Sequence, residues 1–169
     1  MEGGVTLRLD KILHLEDEPQ LLHLMKLYFN DWGGEGQRGW FQASRLEDGL
    51  KIIQDQGNSF QMMIVDLNLE DSWGIATLEA IRPCTVSPFV VCTGGDTLEI
   101  EHRAKEFGIY GIVDKGKSFT RDRIRPVIRD AYMTWRDERL VLPLQAVADE
   151  LKAATERRTK KLQDYGLRG

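Results

Sequence analysis

Three short apolar runs constrain this 169-residue chain more than any other feature. They are Lys11-Ile12-Leu13-His14-Leu15, Met62-Met63-Ile64-Val65 and Phe89-Val90-Val91-Cys92. Each is stopped by a polar group: Glu16-Asp17-Glu18, Asp66 and Thr93, respectively. Unbroken rather than alternating hydrophobicity is the mark of a strand buried on both faces, which parallel sheets require. Helical spacing fills the gaps. Pro19 suits a first helical turn, where its missing N–H costs nothing. Leu21, Leu22, Leu24, Met25, Tyr28 and Phe29 then recur on one helical face.

The remaining elements follow the same alternation. Gly33-Gly34-Glu35-Gly36-Gln37 predicts a loop, and Gly39 to Ala43 a weaker strand. Ser44 and Glu47 predict a capping box for a helix that carries Leu46, Leu50 and Ile53 on one side. Gly74 to Ile81 and Thr97 to Phe107 predict helices. Gly111-Ile112-Val113 predicts a strand ending before Lys115, and Ser118 opens a last helix. Five strands alternating with five helices imply an α/β fold, a doubly wound parallel sheet covered on both faces. At this length the flavodoxin-like order 2-1-3-4-5 is the natural expectation. Such sheets bind ligands beyond the carboxyl ends of their strands.

That rule gathers the stop residues into one place. The 2-1-3-4-5 order makes the first and third strands neighbours, so Glu16, Asp17 and Asp66 crowd one rim and face Thr93 and Lys115. Carboxylates about 4 Å apart repel by roughly 4 kcal/mol per pair at an effective dielectric of 20. The cluster therefore calls for a cation, and a set of hard oxygen ligands suits Mg²⁺. Metal, ammonium and hydroxyl together are what a transferring phosphoryl group needs, and a carboxylate can be its acceptor.

From about Lys11 to about Arg136 the chain resembles the receiver domains of two-component response regulators. The resemblance is carried by Leu15-Glu16-Asp17-Glu18-Pro19, by Ile64-Val65-Asp66-Leu67-Asn68 through Gly74, by Val91-Cys92-Thr93-Gly94, and by Gly108 through Lys115. It implies that Asp66 is the phosphoacceptor. It further implies that Asp17 ligates Mg²⁺ directly, Glu16 largely through water, and the backbone carbonyl of Asn68 completes the metal shell. Thr93 would bind the phosphoryl oxygen and Lys115 would pair with it. The donor would be a histidine kinase or a phosphotransfer protein. Three positions depart from the family pattern. Glu70 stands where proline is frequent, Gly116 replaces the usual proline after the lysine, and Ile112 takes the place of the aromatic that swings inward on activation, with Tyr110 two residues earlier. These departures keep open a receiver-like scaffold or interaction protein not regulated by phosphorylation. A phosphohydrolase with an aspartyl intermediate usually has a second acid two residues past its nucleophile, where this chain has Asn68.

Composition narrows the setting. A net charge of −4 argues against a dedicated nucleic-acid binder. Cys84 and Cys92 make no disulfide framework, and no apolar run reaches the roughly 18 residues of a membrane span. Met1-Glu2-Gly3-Gly4 has no signal-peptide pattern. A cytoplasmic protein is the expectation, without nucleic-acid or membrane partners. Residues 1–120 hold 11 basic and 19 acidic side chains; residues 121–169 hold 12 basic and 8 acidic. The expected organisation is a lead-in over 1–10, a receiver over 11–139 and a helical extension over 140–169. A break is predicted at Leu140 to Leu144 around Pro143, then a helix from Ala146 to Leu162. Its stripe of Leu144, Val147, Leu151 and Ala154 fits either a helix folded back on the body or one that pairs with its own copy as a homodimer, or with another protein.

Overall fold

The computed structural model describes residues 9–32, 37–57, 60–116 and 119–164; past residue 146, side chains are described at 148, 149, 152, 153 and 156 alone. Five parallel strands form the main sheet: β1 (Ile12–Leu15), β2 (Trp40–Ala43), β3 (Met62–Asp66), β6 (Phe89–Thr93) and β7 (Ile109–Asp114). Their order is β2-β1-β3-β6-β7, the flavodoxin-like arrangement. Between β3 and the next helix the chain folds a hairpin of two-residue strands, β4 (Asn68–Leu69) and β5 (Ser72–Trp73).

The unbroken runs are explained by two cores. Leu13, Leu15, Met63, Val65, Phe89 and Val91 point to one side. There they meet Ile53 of α2 (Leu46–Gln56), Leu78 and Ile81 of α3 (Ile75–Ile81), Ile100 of α4 (Leu98–His102) and Phe107 of α5 (Ala104–Phe107). Ile12, Met62, Ile64, Val90 and Cys92 point to the other side. There they meet Met25 of α1 (Pro19–Tyr28) and Ile124, Ile128 and Ala131 of α6 (Arg121–Asp164). The apolar positions of these three runs thus pack on one face or the other, and burying a large aliphatic side chain contributes about 1.5–3 kcal/mol. Gly49 lets α2 approach β1: a Cβ there would stand 2.6 Å from Leu15 Cδ2.

The chain divides into two compact units, 1–133 and 134–169. Within the second, residues 134–164 are helical throughout, so the predicted break around Pro143 does not occur. A proline inside a helix removes one N–H bond and costs about 3 kcal/mol, which weakens a turn without ending a segment otherwise rich in helix formers. The predicted helix start at Ser118 lies outside the described residues, as does most of the 33–37 loop. The expected single helix over 97–107 is divided at Arg103, whose backbone sits at φ −101°, ψ 9°. Its guanidinium is held by Glu79 and Glu106 and lies over the Phe107 ring.

The capping box also gives way to a tertiary contact. Arg45 occupies the cap position of α2 and makes no side-chain cap bond. The free N–H groups of Leu46 and Glu47 instead donate to the two oxygens of Asp71, at 2.7 and 3.0 Å. An anion at a helix N-terminus is doubly favoured, by hydrogen bonding and by the helix dipole. These donors hold the Asp71 carboxyl below its usual range, the Glu47 N–H bond first. Asp71→Ala is expected to cost about 1 kcal/mol. It should also speed amide exchange across residues 68–73, and a urea midpoint together with exchange rates checks both.

Candidate functional site

The strand register assembles the predicted residues at one rim. Leu15 pairs with Val65, so the residues that follow them, Glu16 and Asp66, arrive side by side. Asp66 pairs with Cys92, and Thr93 is one step further along β6. The Lys115 backbone N–H donates to the Thr93 carbonyl at 2.9 Å, which brings the lysine back over the acids. Glu16, Asp66 and Thr93 are buried and Asp17 is half-buried.

Lys115 is the electrostatic centre. Its Nζ lies 2.6 Å from Glu16 Oε2 and 2.7 Å from Asp66 Oδ2. Asp66 Oδ1 accepts the Asn68 backbone N–H at 3.1 Å, and Glu16 Oε1 accepts that of Glu18 at the same distance. Burial pushes the Glu16 carboxyl up to about 7; Lys115 pulls it down, and the Asp66 charge pushes it further up. Burial pulls Lys115 down, but the two carboxylates outweigh it and hold the ammonium above its ordinary value. Glu16 and Asp66 share this ammonium, and Asp17 adds a third carboxyl group beside them.

Glu16, Asp17 and Asp66 each offer a carboxylate oxygen within 4.8 Å of the others. Around an octahedral Mg²⁺ with bonds of about 2.1 Å, ligand oxygens stand roughly 3.0 Å apart when adjacent and 4.2 Å when opposite. The donor set is all hard oxygen and gathered within a span only slightly wider than that octahedron, so its chemistry fits that ion. Thr93 Oγ1 accepts the Gly95 N–H at 3.2 Å, which leaves its own proton to donate. Beside it opens a cleft of about 270 Å³ lined by Asn68, Trp73, Gly74, Thr93, Gly95 and Glu99, among others. Trp73 is 74% exposed at its edge.

The loop after Asp66 is fixed from several directions. Gly74 N–H and the Thr77 hydroxyl both donate to the Leu67 carbonyl, at 2.7 and 3.2 Å. Gly74 itself sits at φ 60°, ψ −139°, a conformation open to glycine and strained for other residues. Asp71, which anchors this loop to α2, is the residue the sequence reasoning missed. Its signal is an acid in a loop whose partner lies 25 residues away, and no local pattern exposes it.

The departures have structural outcomes. The turn at Gly116 is closed by Asp114, whose Oδ1 accepts the Gly116 N–H at 2.8 Å. Ile112 packs half-buried against the α2–α5 side of the sheet. Tyr110 is the extra residue of a bulge in the β6–β7 pairing and packs on the opposite, α1–α6 side. It therefore does not stand in for the aromatic at position 112. Burial pushes the Cys92 thiol up to about 12, which keeps it an inert core group.

An acid-rimmed parallel sheet with an ammonium across it defines an α/β receiver. The family model of the response regulator receiver domain matches residues 12–129, and the chain belongs to that family. Solved structures agree. The chain is similar to a response regulator receiver domain protein from Clostridium thermocellum, with 25% identity over 76% of this chain and 98% of that one, at a TM-score of 0.62. It is similar to NtrX from Brucella abortus, at 25% identity over 82% of this chain and 30% of that one, with a TM-score of 0.66. A fusion that carries a trimeric coiled-coil segment of yeast Spc42 matches 94% of this chain and 96% of its own length, at 22% identity and a TM-score of 0.61. No curated protein matches the chain. Among the described residues, no helix is long and apolar enough to cross a membrane.

Proposed function

We propose that the protein accepts a phosphoryl group on Asp66 from a histidine kinase or phosphotransfer protein, and signals by protein–protein contact. The observation that carries this reading is the convergence of Glu16, Asp17 and Asp66 within 4.8 Å, with Lys115 2.7 Å from Asp66. An Asp66 oxygen forms the bond to phosphorus as the bond to the donor's leaving atom breaks. Lys115 and the Thr93 hydroxyl take up charge on the phosphoryl oxygens. Glu16, Asp17, Asp66 and the Asn68 carbonyl are the groups that would hold Mg²⁺, which supplies charge neutralisation to the phosphoryl oxygens. The backbone bonds to Asp66 and Glu16 keep both carboxylates aimed before any donor arrives. Catalysis is confined to the protein's own phosphorylation and dephosphorylation.

A second reading, a receiver-like scaffold that phosphorylation does not regulate, draws on Ile112 and the displaced Tyr110. Acetyl phosphate with Mg²⁺ separates the two. The expected result is one acid-stable, alkali-labile phosphate per chain, complete loss of it in Asp66→Asn, and none when the divalent ion is chelated. No incorporation into the wild-type protein would favour the scaffold. Rapid turnover of phosphate esters would point to a hydrolase instead.

A further inference from the structure

The second unit exposes apolar surface in a single stretch. Leu140, Val141, Leu142 and Leu144 are 59, 58, 68 and 71% exposed. Isolated exposed leucines are ordinary, but a run of this kind marks a contact surface. The sequence continues it with coiled-coil spacing. Leu140, Leu144, Val147, Leu151 and Ala154 follow one another at intervals of 4, 3, 4 and 3. Leu140 and Leu144 lie on that seam and Val141 at its edge, whereas Leu142 lies outside it.

The charge pattern decides what covers the seam. Residues 137–150 carry four acids and one base; residues 151–161 carry five bases and one acid. A parallel pair would lay each block along its own copy and set like charges side by side, which is unfavourable. An antiparallel pair centred on position 149 sets Asp137 and Glu138 of one chain beside Lys161 and Lys160 of the other at both ends, while Asp149 lies opposite its own copy. It also keeps the central seam in register, with position 144 opposite 154 and 147 opposite 151, while Leu140 lies opposite Arg158. At 1.5 Å per residue the paired segment is about 37 Å long, enough for a modest, concentration-dependent dimer.

We infer that residues 137–161 are a self-association helix that pairs antiparallel with a second copy of this chain. This goes beyond phosphoacceptance, and its test needs no phosphate. Light scattering of the 169-residue chain should move from the 19.4 kDa of one copy towards twice that mass as concentration rises through the micromolar range. Leu144→Glu should stay at one chain while taking up phosphate from acetyl phosphate as the wild type does. Direction is read by disulfide trapping in a Cys84→Ser background. Leu144→Cys alone should give no cross-linked dimer, and Leu144→Cys mixed with Ala154→Cys should give one. A monomer at high micromolar concentration, a trimer, a Leu144→Cys self-disulfide, or a Leu144→Glu protein that still dimerises would each overturn the inference.

Discussion

Replacing Lys115 with methionine is expected to destabilise the protein by about 3 kcal/mol at pH 8 in the absence of divalent cations. The ammonium is the positive charge that touches both Glu16 and Asp66, and both carboxylates are buried. Methionine keeps most of the volume, so the loss is electrostatic rather than a cavity. The cost should shrink as pH falls. Glu16 has a raised folded-state pKa, so the folded protein keeps a proton that the unfolded chain releases between about 4.5 and 7. Stability from that group is present at low pH and lost as pH rises, and removing Lys115 extends the loss upward. Added Mg²⁺ should restore most of the stability by binding the folded state alone. Urea unfolding at pH 5 and pH 8, with EDTA or with Mg²⁺, measures all of this. Equal stability of variant and wild type at pH 8 in EDTA would remove Lys115 from the centre of the site.

The rim was legible in sequence because its residues are tied to strand ends. Asp66 and Lys115 are 49 positions apart, yet each follows an apolar run, and a parallel sheet brings such ends together. The runs themselves were legible because β1, β3 and β6 are buried on both faces. Features without a period were not. The β4–β5 hairpin has two residues per strand, too few for alternation to register. The bulge that turns Tyr110 away from Ile112 is a single inserted residue, invisible to a pattern read along one strand. Asp71 caps a helix that precedes it in the chain, so the local capping signal at Ser44 and Glu47 was outcompeted by a contact that exists once the sheet has formed. At Pro143 the local rule overstated its force, because one missing hydrogen bond in a long helix is a cost and not a terminus.

His14 should give the protein an acid sensitivity of opposite sign to that of Glu16, two residues on and just past the end of β1. Its ring is buried, edge-on to Trp40, with Gln42 Nε2 3.4 Å from its Nδ1. Burial, reinforced by the charge of Lys115, pulls its pKa down to about 3. The folded protein therefore holds His14 neutral while the unfolded chain protonates it below about 6.5. The stability it contributes is full above that value and is lost as pH falls towards 3, by roughly 2 kcal/mol at pH 5. Glu16 works the other way over part of the same window, because its folded form gains a proton before the unfolded chain does. In EDTA the two effects offset each other between pH 7 and pH 5. His14→Val removes one of them. Its stability at pH 7 should fall for want of packing, yet it should lose about 2 kcal/mol less than wild type on going to pH 5. Saturating Mg²⁺ holds Glu16 ionised and removes the other, so wild-type stability should then drop with acid more steeply than in EDTA. Parallel pH dependences of wild type and His14→Val would mean that the buried ring takes up its proton without unfolding the sheet around it.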